Sequence, residues 1–257
     1  TPRADEQDLD ASAASLRGRD AAPAAFDARA GGPGIAPGAD DARARRAATA
    51  FTRLADVPDL DAFDWILVAT PLGATPAVLD ELVLRAPRRA TIVEVSSIKA
   101  ALEPALERAR RAGVSVLCLH PMFGPDTELL SDRHVIFMPV GAPEVVKEAR
   151  ALFAQTMVQA VEMPLAEHDH LIAYVLGLSH ALNIAFFTAL ANSGEAAPKL
   201  AQMSSTTFDR QLKIASGVAN ENPRLYYEIQ SLNAWRGEAL GALKRAVEEL
   251  TRCIDEG

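Results

Sequence analysis

The sequence predicts an α/β fold, in which a Rossmann-like, mostly parallel sheet domain is followed by an all-α dimerisation domain. Three observations lead to this prediction. Short apolar runs alternate with helical spacing from residue 64 onward, strand signals stop near residue 165, and the remaining chain keeps helical periodicity. Alternation of strand and helix is typical of a parallel sheet, because each parallel connection needs a crossover of helical length.

Four strands are predicted in the first part, because short apolar runs are typical of strands that are buried on both faces. They span 64–71, 90–99, 114–120 and 134–140. Three helices are predicted from apolar side chains spaced three or four residues apart, at 75–87, 101–113 and 143–157.

The second part is predicted to be helical throughout. Segment 167–191 is apolar nearly all round and is therefore expected to be a buried helix, with further helices at about 199–219 and 224–254. A helix that is apolar on nearly all sides needs more cover than two neighbouring helices easily give. This favours a homodimer in which the helix lies at the interface. A helix bundle closed within one chain is the alternative.

Three segments are expected from these patterns: 1–50, 51–162 and 163–257. Residues 1–50 are rich in Ala, Asp, Arg, Gly and Pro and contain few large apolar side chains. Such a segment buries little surface, so it is expected to be poorly structured or loop-rich. Its Gly-Gly-Pro-Gly stretch is not a dinucleotide fingerprint, because no predicted strand precedes it and the G-x-G-x-x-G spacing is absent.

Composition narrows the range of partners and compartments. The chain has 257 residues, is 49% hydrophobic and carries a net charge of −8. An acidic chain without a dense Lys/Arg run predicts no nucleic-acid partner. We expect no membrane span, since no apolar stretch reaches the ~18 to 20 residues that one requires. The polar start predicts no signal peptide, and two cysteines, Cys118 and Cys253, indicate reduced thiols and a cytoplasmic location.

Polar residues follow three of the predicted strands. The first strand leads into Thr70–Gly73, the second into Ser96–Lys99, and the third ends in His120 before a stiff loop containing two prolines. Ligands of open parallel sheets bind beyond the carboxyl ends of the strands. The sequence therefore predicts a site at this edge. A serine that caps the next helix and a hydrogen-bonded structural histidine stay open as alternatives.

The helical part adds His168, His170 and His180. A zinc-binding helix spaces its histidines about four residues apart, whereas His168 and His170 are two apart and face nearly opposite sides. A metal site is therefore not predicted, and a metal hydrolase is kept only as a third alternative. His180 lies inside an apolar helix, where its imidazole needs a partner or a ligand.

Four separated motifs together resemble one family. They are VEVSSIK at 93–99, LHPMFGPD at 119–126, EHD at 167–169 and LGLSH at 176–180. In this order and spacing they resemble the prephenate dehydrogenase family of tyrosine biosynthesis, which includes arogenate dehydrogenases. Segment 203–229 is similar to the helical domain of that family, and the likeness covers about residues 60–235.

The resemblance implies oxidative decarboxylation of a cyclohexadienol, with hydride transfer to NAD or NADP. His120 is expected to take the proton of the ring hydroxyl, and Ser97 to orient that hydroxyl. A histidine pKa near ~6.5 suits a general base at neutral pH. The resemblance also implies substrate binding by His180 and Gly124. The expected cofactor-binding residues are Thr70, Pro71, Leu72 and Ser96.

Two departures from the family pattern bear on the activity. The family places an arginine six residues before a helix-starting proline, to hold a substrate carboxylate, and Gly217 occupies that position here. Arg210 or Lys213 is expected to replace it, or the substrate differs, as an amino-substituted analogue of prephenate would. The alternative is a catalytically degenerate relative that binds an aromatic-pathway metabolite or a partner without turnover.

The second departure concerns the glycine-rich turn that normally holds a dinucleotide pyrophosphate. The family has it before the segment seen here, so about thirty N-terminal residues are expected to precede Thr1 in the natural protein. On their own, the 257 residues are expected to bind a nicotinamide cofactor poorly. The choice between NAD and NADP stays open, because the acidic ribose-binding residue that decides it is expected to fall just before Thr1.

Overall fold

The structure, a computed structural model, describes residues 13–16, 24–26, 50–51, 53–85, 87–124, 127–140, 143–220 and 222–257. The described strands form one eight-stranded sheet in the order β3-β2-β1-β4-β5-β6-β7-β8. In chain order their bounds are β1 Ala13–Leu16, β2 Ala24–Phe26, β3 Ala50–Phe51, β4 Trp65–Val68, β5 Thr91–Glu94, β6 Val116–Pro121, β7 His134–Val140 and β8 Gln159–Glu162.

Nine α-helices are described, three of them between or beside strands and six in the C-terminal part. Their bounds are α1 Thr75–Leu84, α2 Glu103–Ala112, α3 Pro143–Leu152, α4 Leu165–Ile172, α5 Ser179–Asn192, α6 Ala197–Gln202, α7 Thr206–Asn220, α8 Pro223–Leu232 and α9 Arg236–Glu256. A π-helical segment, Ala173–Leu178, joins α4 to α5. The prediction of a Rossmann-like sheet domain followed by a helical domain is confirmed.

Strand directions follow from the connections. β4, β5 and β6 are parallel neighbours, with α1 and α2 as their crossovers. β7 runs antiparallel to β6, and β8 is parallel to β7. No helix is described between β6 and β7, and a parallel return would require such a crossover.

Several boundaries differ from those predicted. Strand β4 ends at Val68, and α3 ends at Leu152, five residues before the predicted end. Strand β8 was missed because all four of its residues are exposed, so it shows no apolar run. β1 and β2 were also not predicted, and the rest of segment 1–50, apart from residue 50 in β3, lies outside the described residues.

One apolar cluster of the sheet domain lies between the sheet and α3. Alternate residues of two strands, Leu117 and Leu119 in β6 and Val135 and Phe137 in β7, pack together there. The ring of Phe153 meets that of Phe137 edge to face at 6.0 Å. Alternate strand residues share one face, so the intervening residues Val116, Cys118 and Met138 point to the other face, where they are also buried.

The chain divides into two compact units, Thr1–Glu167 and His168–Gly257. Helix Leu165–Asn192, which comprises α4, the π-helical segment and α5, contains an 18-residue window with a mean hydropathy of 1.6 and is long and apolar enough to cross a membrane, by length and composition alone. The expectation that no segment reaches this length was wrong, because isolated polar residues such as His180 and Asn183 do not lower the mean hydropathy enough.

The predicted burial of this helix is also corrected. Only 22% of its most apolar window is buried, and Val175 and Leu182 are 54% and 47% exposed. The single chain therefore leaves much of the apolar helix surface uncovered.

Candidate active site

The carboxyl ends of β4, β5 and β6 lie side by side, because these strands are parallel neighbours. Thr70 comes two residues after β4, Ser96 two residues after β5, and His120 lies one residue before the end of β6. The fold thus brings these predicted site residues to one edge of the sheet.

His120 is held within a strand and is not at a free tip. β6 continues to Pro121, and His120 lies opposite Ile136 of β7 in the antiparallel register. The residue is 3% exposed. The loop that follows starts with a hydrogen bond from Met122 N to the oxygen of His134 at 2.9 Å. Gly124 is exposed in this loop.

The two serines after β5 differ in their surroundings. Ser96 is buried, and its hydroxyl donates to the backbone oxygen of Ile98 at 3.0 Å. Ser97 is half-buried. Neither serine caps the next helical segment, the 3₁₀ turn Ala100–Leu102, whose N-cap residue is Lys99. The alternative of a capping serine is therefore not what the structure shows.

A buried ion pair beside these serines was missed by sequence reasoning. Nζ of Lys99 lies 2.6 Å from Oε2 of Glu94, and both side chains are almost fully buried. Lys99 also donates to the backbone oxygens of Ser96 and Leu119. A sequence signal was present, since a carboxylate inside an apolar strand needs a compensating charge, and Lys99 follows five residues later.

The turn after β4 is fixed by threonine hydroxyls. The Oγ1 atoms of Thr70 and Thr75 are 2.7 Å apart, and Thr75 also donates to the backbone oxygen of Pro71 at 3.0 Å. Leu72 is buried. Thr70 and Pro71 are only partly buried and lie on the rim of the sheet, whereas Leu72 packs inward.

In the helical unit, His180 is the second residue of α5, two residues after the end of the π-helical segment. The ring of His180 meets that of Tyr226 edge to face at 4.3 Å. The wide π turn is held by Gln230, whose Nε2 donates to the oxygen of Gly177 at 2.6 Å. Such segments are frequent at functional sites, and this one gave no signal in the sequence.

Helix α7 carries two exposed cations, Arg210 and Lys213. They precede Gly217, which occupies the position where the family has an arginine. Arg210, Lys213 and Gly217 are spaced by three and four residues and therefore share one helix face. A Cβ atom at Gly217 would meet no atom within 4 Å. This face has room for a longer side chain.

The remaining histidines have separate partners. Nδ1 of His168 lies 2.7 Å from Oδ1 of Asp169, and both residues are buried. His170 lies against Trp235 and 3.3 Å from a carboxylate oxygen of Glu238. Within the described part of the chain, no three His, Cys, Asp or Glu side chains are grouped to hold a metal ion.

The fold and the polar sheet edge define a nucleotide-binding α/β domain that is followed by a helical domain. Two family models match these parts: "Prephenate dehydrogenase, nucleotide-binding domain" over residues 34–162 and "Prephenate dehydrogenase, dimerization domain" over residues 164–257. The chain belongs to the prephenate dehydrogenase family.

Curated relatives are about a quarter identical to the chain over the residues that match. A probable arogenate/prephenate dehydrogenase of Methanocaldococcus jannaschii is 26% identical over 66% of this chain and 39% of the relative. The T-protein of Enterobacter agglomerans is 25% identical over 67% of this chain and 49% of the relative. A 4-amino-4-deoxyprephenate dehydrogenase of Streptomyces pristinaespiralis is 26% identical over 78% and 67%, respectively. The chain thus spans half or less of the length of the first two relatives.

Solved structures support the fold. An arogenate dehydrogenase of Synechocystis matches with a TM-score of 0.63 and 19% identity, over 84% of this chain and 79% of that chain. Prephenate dehydrogenase of A. aeolicus, in complex with hydroxyphenyl propionate and NAD+, matches with a TM-score of 0.64 and 17% identity, over 84% and 77%.

Proposed function

We propose that the protein is a nicotinamide-dependent dehydrogenase that oxidatively decarboxylates prephenate, arogenate or a close analogue. Family membership supports the reaction class. The observation that carries the proposal is the position of His120, a buried imidazole at the sheet edge next to the Ser97 turn.

In this proposal His120 accepts the proton of the ring hydroxyl while hydride leaves the same carbon, and Ser97 orients the hydroxyl. Carbon dioxide leaves as the ring becomes aromatic, so the chain mainly positions the reacting groups. His120 is 3% exposed and its backbone is paired with β7, which supports a base that is held at a defined position in the sheet.

A nicotinamide cofactor, NAD or NADP, supplies the hydride acceptor when bound. The partly buried Thr70–Pro71 turn fits the nicotinamide end of such a cofactor, because it offers polar groups on the rim of the sheet. Ser96 and Leu72, both buried, complete the proposed set of cofactor-binding residues. No G-x-G-x-x-G turn for the pyrophosphate occurs in the 257 residues.

Substrate carboxylates require cations. Lys213 lies one turn from Gly217, and Arg210 lies two turns away on the same face, and both are exposed. We assign the carboxylate to these side chains, with His180 and Gly124 as further substrate contacts.

The test is a substrate panel on the full-length natural protein. Prephenate, arogenate and 4-amino-4-deoxyprephenate are each supplied with NAD+ and with NADP+, and reduced nicotinamide is followed by its absorbance. We expect turnover of one of the three. No turnover with any pair contradicts the proposal.

A binding role without turnover is the second candidate, and Gly217 at the arginine position favours it. It predicts calorimetric binding of a panel compound with no reduced nicotinamide formed. Among the substrates, the amino analogue belongs in the panel because the Streptomyces pristinaespiralis relative is 26% identical over 78% of this chain.

A homodimer through the helical domain is part of the proposal. The exposed apolar surface of helix 165–192 supports it, as does the description of the matched C-terminal family domain as a dimerization domain. The same exposed surface is then covered by a second copy and not by lipid. We also propose a cytoplasmic location and no nucleic-acid partner; the net charge of −8 supports the latter.

A further inference from the structure

The ends of β5 and β6 are joined by one buried ammonium group. Nζ of Lys99 donates to Oε2 of Glu94 at 2.6 Å, to the oxygen of Ser96 at 2.7 Å and to the oxygen of Leu119 at 2.8 Å. The side chains of Lys99 and Glu94 are 2% and 0% exposed. A lysine ammonium has three N–H donors. The three acceptors are the Glu94 side chain in β5, the backbone oxygen of Ser96 in the turn after β5, and the backbone oxygen of Leu119 in β6.

The acceptors flank both residues of the proposed catalytic pair. Ser96 directly precedes Ser97, and Leu119 directly precedes His120. The other oxygen of Glu94, Oε1, accepts from the backbone N–H of Ser96. These hydrogen bonds fix the peptide groups on both sides of Ser96. They also fix the peptide group between Leu119 and His120.

The sheet ladder does not provide this link. β5 pairs with β6 only as far as Glu94 opposite Cys118, whereas β6 continues to pair with β7 as far as Pro121. Beyond Cys118, Lys99 takes the place of a β5 residue as the donor to Leu119. Replacing a buried ion pair by apolar residues is often neutral or stabilising, so folding stability alone does not require this pair.

We propose that Glu94 and Lys99 are positioning residues, which set the separation and orientation of Ser97 and His120. The inference rests on the proposed function, which assigns these two residues to the substrate hydroxyl. Neither Glu94 nor Lys99 touches the reacting atoms in this assignment. They act by holding two strand ends in register.

The test replaces Lys99 by methionine, which keeps the chain length and removes all three hydrogen bonds. In steady-state assays of the full-length protein, we expect Lys99→Met to lower kcat at least ~30-fold, because small misplacements of the reacting groups lower the rate by about that factor. Both KM values should stay within about threefold of those of the wild type. Lys199→Met is the matched control, since Lys199 pairs with Glu195 on the exposed surface, and it should leave kcat unchanged. A kcat of Lys99→Met within threefold of wild type overturns the proposal.

A double variant separates positioning from stability. Lys99→Met leaves the Glu94 carboxylate buried and unpaired, so Tm should fall as well. Glu94→Gln combined with Lys99→Met removes that charge and should regain most of the lost Tm, while kcat stays low. Recovery of kcat in parallel with Tm would show that the pair only stabilises the fold.

If the wild-type protein turns over no substrate, the proposed function is wrong. Hydrogen–deuterium exchange still tests the positioning role of Lys99 in that case. Lys99→Met should then speed exchange at the amides of 96–98 and 119–120, while α1 stays as protected as in the wild type. Unchanged protection at both strand ends overturns the positioning role.

Discussion

At the scale of single residues, the site depends on a histidine that the strand itself immobilises. His120 lies within the β6–β7 ladder and is almost fully buried. A base held in this way keeps one orientation, so most of its effect is expected in kcat. Its ability to accept a proton, not its bulk, is the property that the proposed reaction requires.

We predict that His120→Asn lowers kcat at least ~100-fold with little change in Tm, in line with the usual contribution of a general base. Asparagine keeps a polar group at the buried position but does not titrate. Steady-state kinetics and a thermal melt measure the two effects. His134→Asn, which changes an exposed histidine at the start of β7, is the control and should match wild type. Equal activity of His120→Asn would remove His120 from the mechanism.

A second residue-scale prediction concerns Gly217. Space around its Cα is open, so Gly217→Arg should fit and lower the KM for prephenate about tenfold, through a bidentate contact with a carboxylate. Gly217→Ala is the control. Both changes should raise Tm slightly, because glycine in a helix interior costs roughly 0.5–1 kcal/mol relative to alanine. A similar KM in both variants would place the carboxylate elsewhere.

At the scale of elements, the carboxylate of Asp61 holds the turn that precedes a strand. Oδ1 of Asp61 accepts hydrogen bonds from the backbone N–H groups of Arg88 and Arg89 at 2.8 Å and from that of Ala90 at 3.3 Å. These hydrogen bonds, that from Arg89 most of all, hold the pKa of Asp61 below its ordinary value. The carboxylate thus anchors the turn that leads into β5, the strand that carries the serine turn.

We predict that Asp61→Ala lowers Tm by roughly 2 to 5 °C at pH 7, a size usual for a lost anchoring contact. Because the folded pKa is the lower one, the stabilisation is present above the ordinary aspartate pKa of about 3.9 and disappears as the pH falls below it. Melts of wild type and variant at pH 7, 5 and 3 should therefore converge at the acidic end. The exposed Asp64 provides the control, Asp64→Ala, which should show no such convergence. A difference in Tm that grows toward pH 3 would contradict the assignment.

At the scale of the whole molecule, the helical unit leaves apolar surface exposed that a single chain does not cover. Helix 165–192 carries the exposed side chains of Leu171, Val175, Leu182 and Ile184. Burial of such surface is worth roughly 25 cal/mol per Å². A second copy of the chain is the occupant proposed above.

We predict that Val175→Glu combined with Leu182→Glu converts the dimer into a monomer in sedimentation-velocity experiments, because each carboxylate would have to be buried in the interface. Glu248→Gln, on the exposed face of α9, is the control and should stay dimeric. A wild-type protein that sediments as a monomer, or that is recovered only with membranes, would contradict the dimer.

The sequence by itself was enough for the fold class. Apolar periodicity located β4, β5, β6 and β7, because each is a local pattern that needs no information from distant residues. Motif order also placed His120 and the serines at one sheet edge, since carboxyl ends of parallel neighbours must adjoin.

The tertiary structure decided what depends on contacts between distant residues. The ammonium of Lys99 reaches Leu119, twenty residues away, and β8 is a strand only because β7 offers it a backbone ladder. The exposure of helix 165–192 likewise depends on how much cover the other helices give. Local patterns do not specify such contacts, because strand ladders, burial and hydrogen bonds between distant residues are properties of the folded chain and not of any one segment.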